Sequence, residues 1–350
     1  MSAEKLNMVL FEKQTDAHTP EYTLGANDFI DVIEGAKADI TPDAEADARG
    51  STAFDNYPPT IGRTTVEISI MFSLYSLGSA DPDLVRCMEC AGWRRDLDEP
   101  YIVLSPTSEI VNAGSLHAYR GGPGASKSLL EKFGNVMFDG SLKLETGKRA
   151  TVSLTGKGKY IAPPVIATMP VIDSNRERET APAIKAATVS IMGQAYNFTT
   201  IEFTFGQNVE NASDPTDTYA GGETEITERK IDFSATLYMK PTTPLIPHAD
   251  IYAGTQAAIN IAWGTTHCAP GGSDLEINAP TCVLTDVKKG NSNGIDTWEV
   301  KGTVVKNDLK IKIYNGNTSS LSSSSDSMSS DSNSSVSDSS ESTSSSSISV

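Results

Sequence analysis

Apolar residues in this chain recur at every second position over long stretches, which commits those stretches to strands with one buried face. The clearest runs from Thr64 to Leu77, with Val66, Ile68, Ile70, Phe72 and Leu74 facing one way and Thr65, Glu67, Ser69 and Ser73 the other. A second covers Glu228 to Lys240, where Ile231, Phe233, Ala235, Leu237 and Met239 alternate against Asp232, Ser234 and Thr236. Further strands are expected over 28–40, 101–107, 115–120, 136–145, 149–161, 185–192, 196–206, 258–264, 275–287, 295–305 and 308–314. Helix signals are few. Asp81-Pro82-Asp83 ahead of Leu84 to Ala91, with Gly92 behind, supplies a cap, a proline at the first helical position and a stop. Ser126 to Phe133, closed by Gly134, and His248 to Gln256 are weaker candidates. The fold class is all-β with few short helices.

The layout repeats. A strand near 28–40 leads through an acidic loop (Asp39, Asp43, Glu45, Asp47, Asp55, opposed only by Arg49) into the long strand at 64–77. A strand near 196–206 leads through a second (Glu210, Asp214, Asp217, Glu223, Glu225, with no Lys or Arg) into the strand at 228–240. A period of roughly 160 residues suits a duplicated domain rather than a solenoid. The expected organisation is a first β domain over 1–172, a linker over 173–182 whose Asp173 to Thr180 carries no apolar residue, and a second β domain over 183–316. A low-complexity tail fills 317–350. Within 319–350, 21 of 32 residues are Ser and four are acidic, a composition that cannot offset chain entropy, so the tail is expected to be disordered.

Charge narrows the function. Lys and Arg number 28 against 45 Asp and Glu, a formal charge of −17, of which −13 remains once the tail's four acids are removed. Such a chain repels phosphate and is not an ordinary DNA or RNA reader. No run approaches about 18 apolar residues and the N-terminus shows no charged-then-apolar leader, so a soluble protein made in a cytoplasm, without membrane insertion, is expected. Four cysteines are no disulfide framework and point to a reducing compartment.

Candidate chemistry fails motif by motif. Gly121-Gly122-Pro123-Gly124-Ala125-Ser126-Lys127-Ser128 has the outline of a phosphate loop, but Ser126 stands where the second glycine must let the backbone reach the phosphates. Cys87 and Cys90 have the spacing of half a zinc site, yet Cys268 and Cys282 are too far apart to complete it, and on a helix the first pair shares an apolar face. The four histidines show no ligand or triad spacing, and neither acidic loop has the alternating pattern of a calcium site. No catalytic residue, cofactor or metal is expected.

The order of segments resembles the tail tube protein of long-tailed, siphovirus-like bacteriophages, in its larger two-part form. The resemblance is carried by Tyr57-Pro58-Pro59-Thr60 leading into the strand to Ile70, the short helix from Asp83 to the Ala91-Gly92 step, Phe138 to Leu144, and Arg149 to Tyr160 closed by Pro163-Pro164. In the second half it is carried by Ala187 to Phe205, Thr227 to Met239, Ala258 to Trp263, and Glu276 to Pro280 followed by Asp286-Val287, Gly290, Gly294 and Val300. It spans roughly 8–315 and rests on order and spacing; the serine tail lies outside it.

The resemblance implies β-barrel or β-sandwich tube domains whose subunits form stacked rings around a channel for double-stranded DNA, which passes without tight binding. It implies a homo-trimeric pseudo-sixfold ring or a homo-hexameric one, contact with other tail proteins such as tape measure and terminators, assembly in the host cytoplasm and residence in the virion tail. Glu67, Asp232 and Glu202 are the expected channel-lining acids. Asp43, Glu45, Asp47, Asp214, Asp217, Glu223 and Glu225 are expected in inter-ring or inter-subunit loops. The alternative is an extracellular adhesion or carbohydrate-binding β-sandwich with a Ser-rich stalk, which the missing leader disfavours.

Overall fold

The alternation at 64–77 becomes a 14-residue strand, Thr60–Ser73, whose buried Val66, Ile68, Ile70 and Phe72 build one wall of the core. The computed structural model describes residues 6–14, 23–33, 37–45, 60–74, 83–98, 100–109, 112–121, 128–171, 183–185, 187–239, 251, 253–264, 273–292 and 294–315. In chain order the strands are β1 (Leu6–Lys13), β2 (Lys37–Glu45), β3 (Thr60–Ser73), β4 (Trp93–Asp98), β5 (Tyr101–Pro106), β6 (Gly114–Gly121), β7 (Ser128–Glu145), β8 (Thr151–Ala167), β9 (Thr188–Ile191), β10 (Gln194–Tyr196), β11 (Phe198–Thr204), β12 (Gln207–Ser213), β13 (Gly221–Arg229), β14 (Asp232–Tyr238), β15 (Gln256–Trp263), β16 (Leu275–Ser292), β17 (Ile295–Val304) and β18 (Lys310–Tyr314). The helix α1 (Asp83–Glu89) buries Leu84, Val85, Cys87 and Met88.

The paired strands are all antiparallel and, apart from the hairpin of β12 and β13, belong to one sheet. Its long path runs β10-β9-β15-β16-β17-β14-β11-β7-β8-β3-β2. Two 18-residue strands act as pivots. β7 keeps β8 along one side, while its other side takes β6 at Leu129 to Val136 and then β11 at Ser141 to Glu145. β16 takes β15 and β18 near its start and β17 from Cys282 to Ser292. Strand order is the same in the two halves: β1-β6-β7-β8-β3-β2 in the first and β9-β15-β16-β17-β14-β11 in the second.

Two ladders cross between the halves. Phe203 lies opposite Leu142 where β11 meets β7, and Ile311 opposite Leu104 where β18 meets β5. The core is correspondingly continuous, with Phe11 against Phe138, Trp93 against Phe205 and Phe203 against Phe233 at centroid separations of 5.6, 4.8 and 5.2 Å. Met1–Asn317 forms one compact unit that holds both segments flanking 173–182; Thr318–Val350 lies outside the described residues.

Several local expectations change. Ser126 to Phe133 is not a helix: β7 begins at Ser128, with Ser128 and Leu130 buried and Leu129 exposed, because pairing to β6 and β8 outweighs a segment without a cap. The strand expected over 28–40 starts only at Lys37, after a 3₁₀ turn at Ala26–Asp28 and an isolated bridge from Phe29 to Leu10. The strand at 228–240 is broken at Lys230 and Ile231, where the chain passes from the β12–β13 hairpin into the main sheet. The second acidic loop is itself that hairpin. β1 and β4 were not expected. The helix at His248 to Gln256 lies largely outside the described residues, and Gln256 opens β15.

Candidate functional site

Eight neighbouring strands, β2-β3-β8-β7-β11-β14-β17-β16, present their non-core side chains on one face. Antiparallel register aligns those side chains in rows. In one row Lys143, Glu202, Ser234, Lys301 and Asp286 follow each other from β7 to β16. In the next lie Ser141, Thr204, Asp232 and Thr303, with the Thr303 hydroxyl donating to Asp232 Oδ1 at 2.7 Å. At the β2 edge Asp39, Glu67 and Lys157 stand side by side.

The three expected channel acids therefore share one face. Glu67 is exposed and Glu202 and Asp232 half-buried. Glu67 and Asp232 also occupy matching places, each on the strand beside a buried glycine: Ile68 opposite Gly156 on β8, and Phe233 opposite Gly302 on β17. Both glycines are needed where they stand. A Cβ on Gly156 would meet Met137 O at 2.5 Å and one on Gly302 would meet Val283 O at 2.8 Å, so each lets a strand close against the pivot.

The face is less acidic than the chain. It carries Asp39, Glu67, Asp139, Glu145, Glu202, Asp232, Asp286 and Glu299 against Lys37, Arg63, Lys143, Lys157, Lys159, Lys288 and Lys301, eight acids to seven bases, or −1 of the total −17. Carboxylates and ammonium groups sit near each other, as in Lys288 to Asp286 at 2.6 Å and Lys230 to Asp232 at 3.4 Å. Serine and threonine fill much of the remainder. On the same side of β3, Arg63 donates to Asn211 Oδ1 at 2.8 Å and to Ser213 Oγ at 3.3 Å, so its charge is engaged within the chain. Lysines placed among carboxylates and hydroxyls offer little to a passing phosphate.

Much of the negative charge lies instead on the β12–β13 hairpin, which reaches the β3 and β8 end of this face. Asp217 pairs with Lys159 at 2.7 Å and accepts from the N–H groups of Tyr219 and Gly221. Burial pushes the Asp217 carboxyl up, but Lys159 and those N–H groups hold it below the usual range. Asp214 accepts from the Thr216 N–H and hydroxyl, which lowers its pKa in turn. Tyr219 packs edge-on against Tyr160 with centroids 4.8 Å apart. At the hairpin's base, Arg229 donates to Thr107 O at 3.0 Å and Gly92 O at 2.8 Å, and Gln207 Nε2 to Ala91 O at 2.5 Å. A cleft of about 330 Å3 separates Asn208 and Val209 from Glu67, Ser69, Thr155 and Lys157.

Glu223 and Glu225 are exposed on β13, Asp43 is exposed on β2, Glu45 ends β2, and Asp47 lies outside the described residues. Cys87 and Cys90 are fully buried on and just after α1, and burial pushes both thiols up. Of the loop at Gly121 to Ser128, the ends close β6 and open β7 while 122–127 lie outside the described residues. Among the described residues no group of three or more His, Cys, Asp or Glu is placed to hold a metal ion, and no helix is long and apolar enough to cross a membrane.

An all-antiparallel sheet with one broad, hydroxyl-rich face is the architecture against which a sequence comparison can be weighed. A family model described as phage tail tube protein matches residues 23–281. The chain belongs to the phage tail tube protein family. The match covers β2 through β15 and the first part of β16, including all three acids of the polar face. This family member is thus a structural protein of the phage tail. No curated protein matches the chain.

Proposed function

We propose that this tail tube protein self-assembles into stacked rings whose inner wall is the polar face of β2-β3-β8-β7-β11-β14-β17-β16, forming a channel that conducts double-stranded DNA into the host. The observation that carries this reading is the face itself: eight contiguous strands, polar on one side, with lysines set among carboxylates and hydroxyls. B-DNA carries about one charge per 1.7 Å of axis, so a wall with ordered cationic contacts would hold it. A wall of low net negative charge repels weakly within a Debye length of about 8 Å and leaves the duplex free to slide. Glu67, Glu202 and Asp232 are the channel-facing acids in this scheme.

The repeated strand order supports the two-part organisation, with domains over 1–172 and 183–316. Each half supplies four strands to the face, β2-β3-β8-β7 and β11-β14-β17-β16, so three chains make a pseudo-sixfold ring; six chains per ring is the competing arrangement. The exposed carboxylates Glu223, Glu225 and Asp43 are available to neighbouring subunits or rings, and Glu45 and Asp47 are assigned the same role in this reading, while Asp214 and Asp217 chiefly shape the turn of the β12–β13 hairpin. Tape-measure and terminator proteins are the expected tail partners, assembly takes place in the host cytoplasm, and the product resides in the virion.

Negative-stain electron microscopy of the purified protein tests the assembly. Rings or tubes are expected, and persistent monomers at high concentration would contradict it. Asp232→Lys then tests the wall: tubes should form normally while genome delivery slows. Normal infectivity with normal tubes would remove Asp232 from the channel.

A further inference from the structure

Within the chain the two halves are joined by a strand ladder whose counterpart between chains can be read off the repeated topology. β11 lies against the far part of β7, with Glu202, Phe203 and Thr204 opposite Lys143, Leu142 and Ser141. The two buried glycines set the equivalence: Gly156 opposite Phe138 and Ile68 corresponds to Gly302 opposite Leu284 and Phe233. Ladder partners then make β2 the counterpart of β11, with Ala38 matching Phe203, and the far part of β16 the counterpart of the far part of β7, with Lys289 matching Leu142. Both counterparts are edges. Among the described residues β2 is laddered only to β3, and β16 beyond Leu284 only to β17.

We propose that β16 of one protomer pairs antiparallel with β2 of a second copy, with Lys289 opposite the partner's Ala38 and Lys288 opposite the partner's Asp39. The inference rests on the ring reading and specifies its joint. Charge agrees with the register. Asp39 sits directly beside Glu67 in its own sheet, an unfavourable pair of carboxylates. A lysine arriving on the open side of Asp39 relieves it, and Lys288 is exposed. Ala38 O already accepts from Arg120 at 2.8 Å, so in the free protomer one group of this edge is capped, and the incoming strand shares or displaces that cap.

The two joints differ in character. The internal one sets fully buried Leu142 against fully buried Phe203. The joint between chains sets exposed Lys289 against nearly buried Ala38, flanked by the ionic pair. Hydrophobic and ionic joints thus alternate round the ring, and salt opens the ionic ones first.

Oxidation of rings built from Lys288→Cys/Asp39→Cys tests the register. A directly opposite pair falls within disulfide reach, whereas a diagonal neighbour two residues along stands about 7–8 Å away, beyond it. The expected result is conversion of monomer to a covalently closed oligomer on non-reducing gels, with Lys288→Cys/Thr41→Cys and the unmodified chain staying monomeric. Should the variants not assemble, carbodiimide treatment of unmodified rings is expected to yield an intermolecular Lys288–Asp39 peptide by mass spectrometry. Rings that form but cross-link at Thr41, or yield no Lys288–Asp39 link, overturn the proposed joint and leave the tube reading intact. Failure of the unmodified protein to form rings instead overturns the tube reading.

Discussion

Gly156 and Gly302 set how closely β8 and β17 approach their pivot strands, and both lack room for a methyl group. Gly156→Ala should destabilise the fold by about 1–3 kcal/mol, measurable as a lowered denaturant midpoint with unchanged slope. An unchanged midpoint would mean that the strands can separate without cost. His117 is a second sensitive position. Burial on β6, with Lys132 nearby, lowers its pKa from 6.5 to about 4. The unfolded chain therefore binds a proton between pH 6.5 and 4 that the folded chain refuses, so stability falls as pH drops through that window, by up to about 3 kcal/mol. His117→Phe should flatten the pH dependence there, and a profile identical to the unmodified chain would assign the acid sensitivity to other groups. Asp217 acts lower on the scale. Its pKa is depressed in the folded state, so its contribution is present above the ordinary carboxylate pKa and fades as pH falls through the folded value.

At the scale of elements, the β12–β13 hairpin is outside the main sheet's ladders and is tied to it largely by individual side chains. Arg229 donates to the carbonyls of Thr107 and Gly92 next to the end of α1, the second of which also accepts from the Thr107 N–H. Arg229→Met should cost about 2 kcal/mol and raise hydrogen exchange across 207–229 while the main sheet stays protected; uniform loss of protection would show that the hairpin and sheet open together. The hairpin also marks where sequence reasoning stopped short. β3, β14 and β17 were legible because each has one buried and one polar face, and α1 because its cap and stop are local. The acidic stretch at 210–225 reads as a solvated loop, since its inward-facing residues are few, Tyr219 and Thr224 within it and Val209 and Ile226 at its ends, and their partners, such as Tyr160 and Met137, are distant in sequence. β1 escaped because Met8, Val9, Leu10 and Phe11 are buried in succession and show no alternation. The shared face of Glu67, Glu202 and Asp232 could be anticipated from their outward parity; the lysines between them could not, because cross-strand neighbours depend on register.

At the scale of the whole molecule, the charge of −17 is distributed with a purpose different from the one composition suggests. The polar face stays close to neutral, and the excess acid gathers on hairpins and in the serine-rich segment. In the proposed channel, a duplex sliding along such a wall would meet hydroxyls and compensated charges, which suits passage better than strong repulsion or grip. Under the proposed assembly, the repeated strand order, with four face strands per half, makes three chains the expected count. The most direct test is the symmetry of assembled rings by electron cryomicroscopy. Three chains per ring, in a sixfold-like outline with the polar face inward, is the expected result; six full chains per ring, or a ring with the polar face outward, would contradict it.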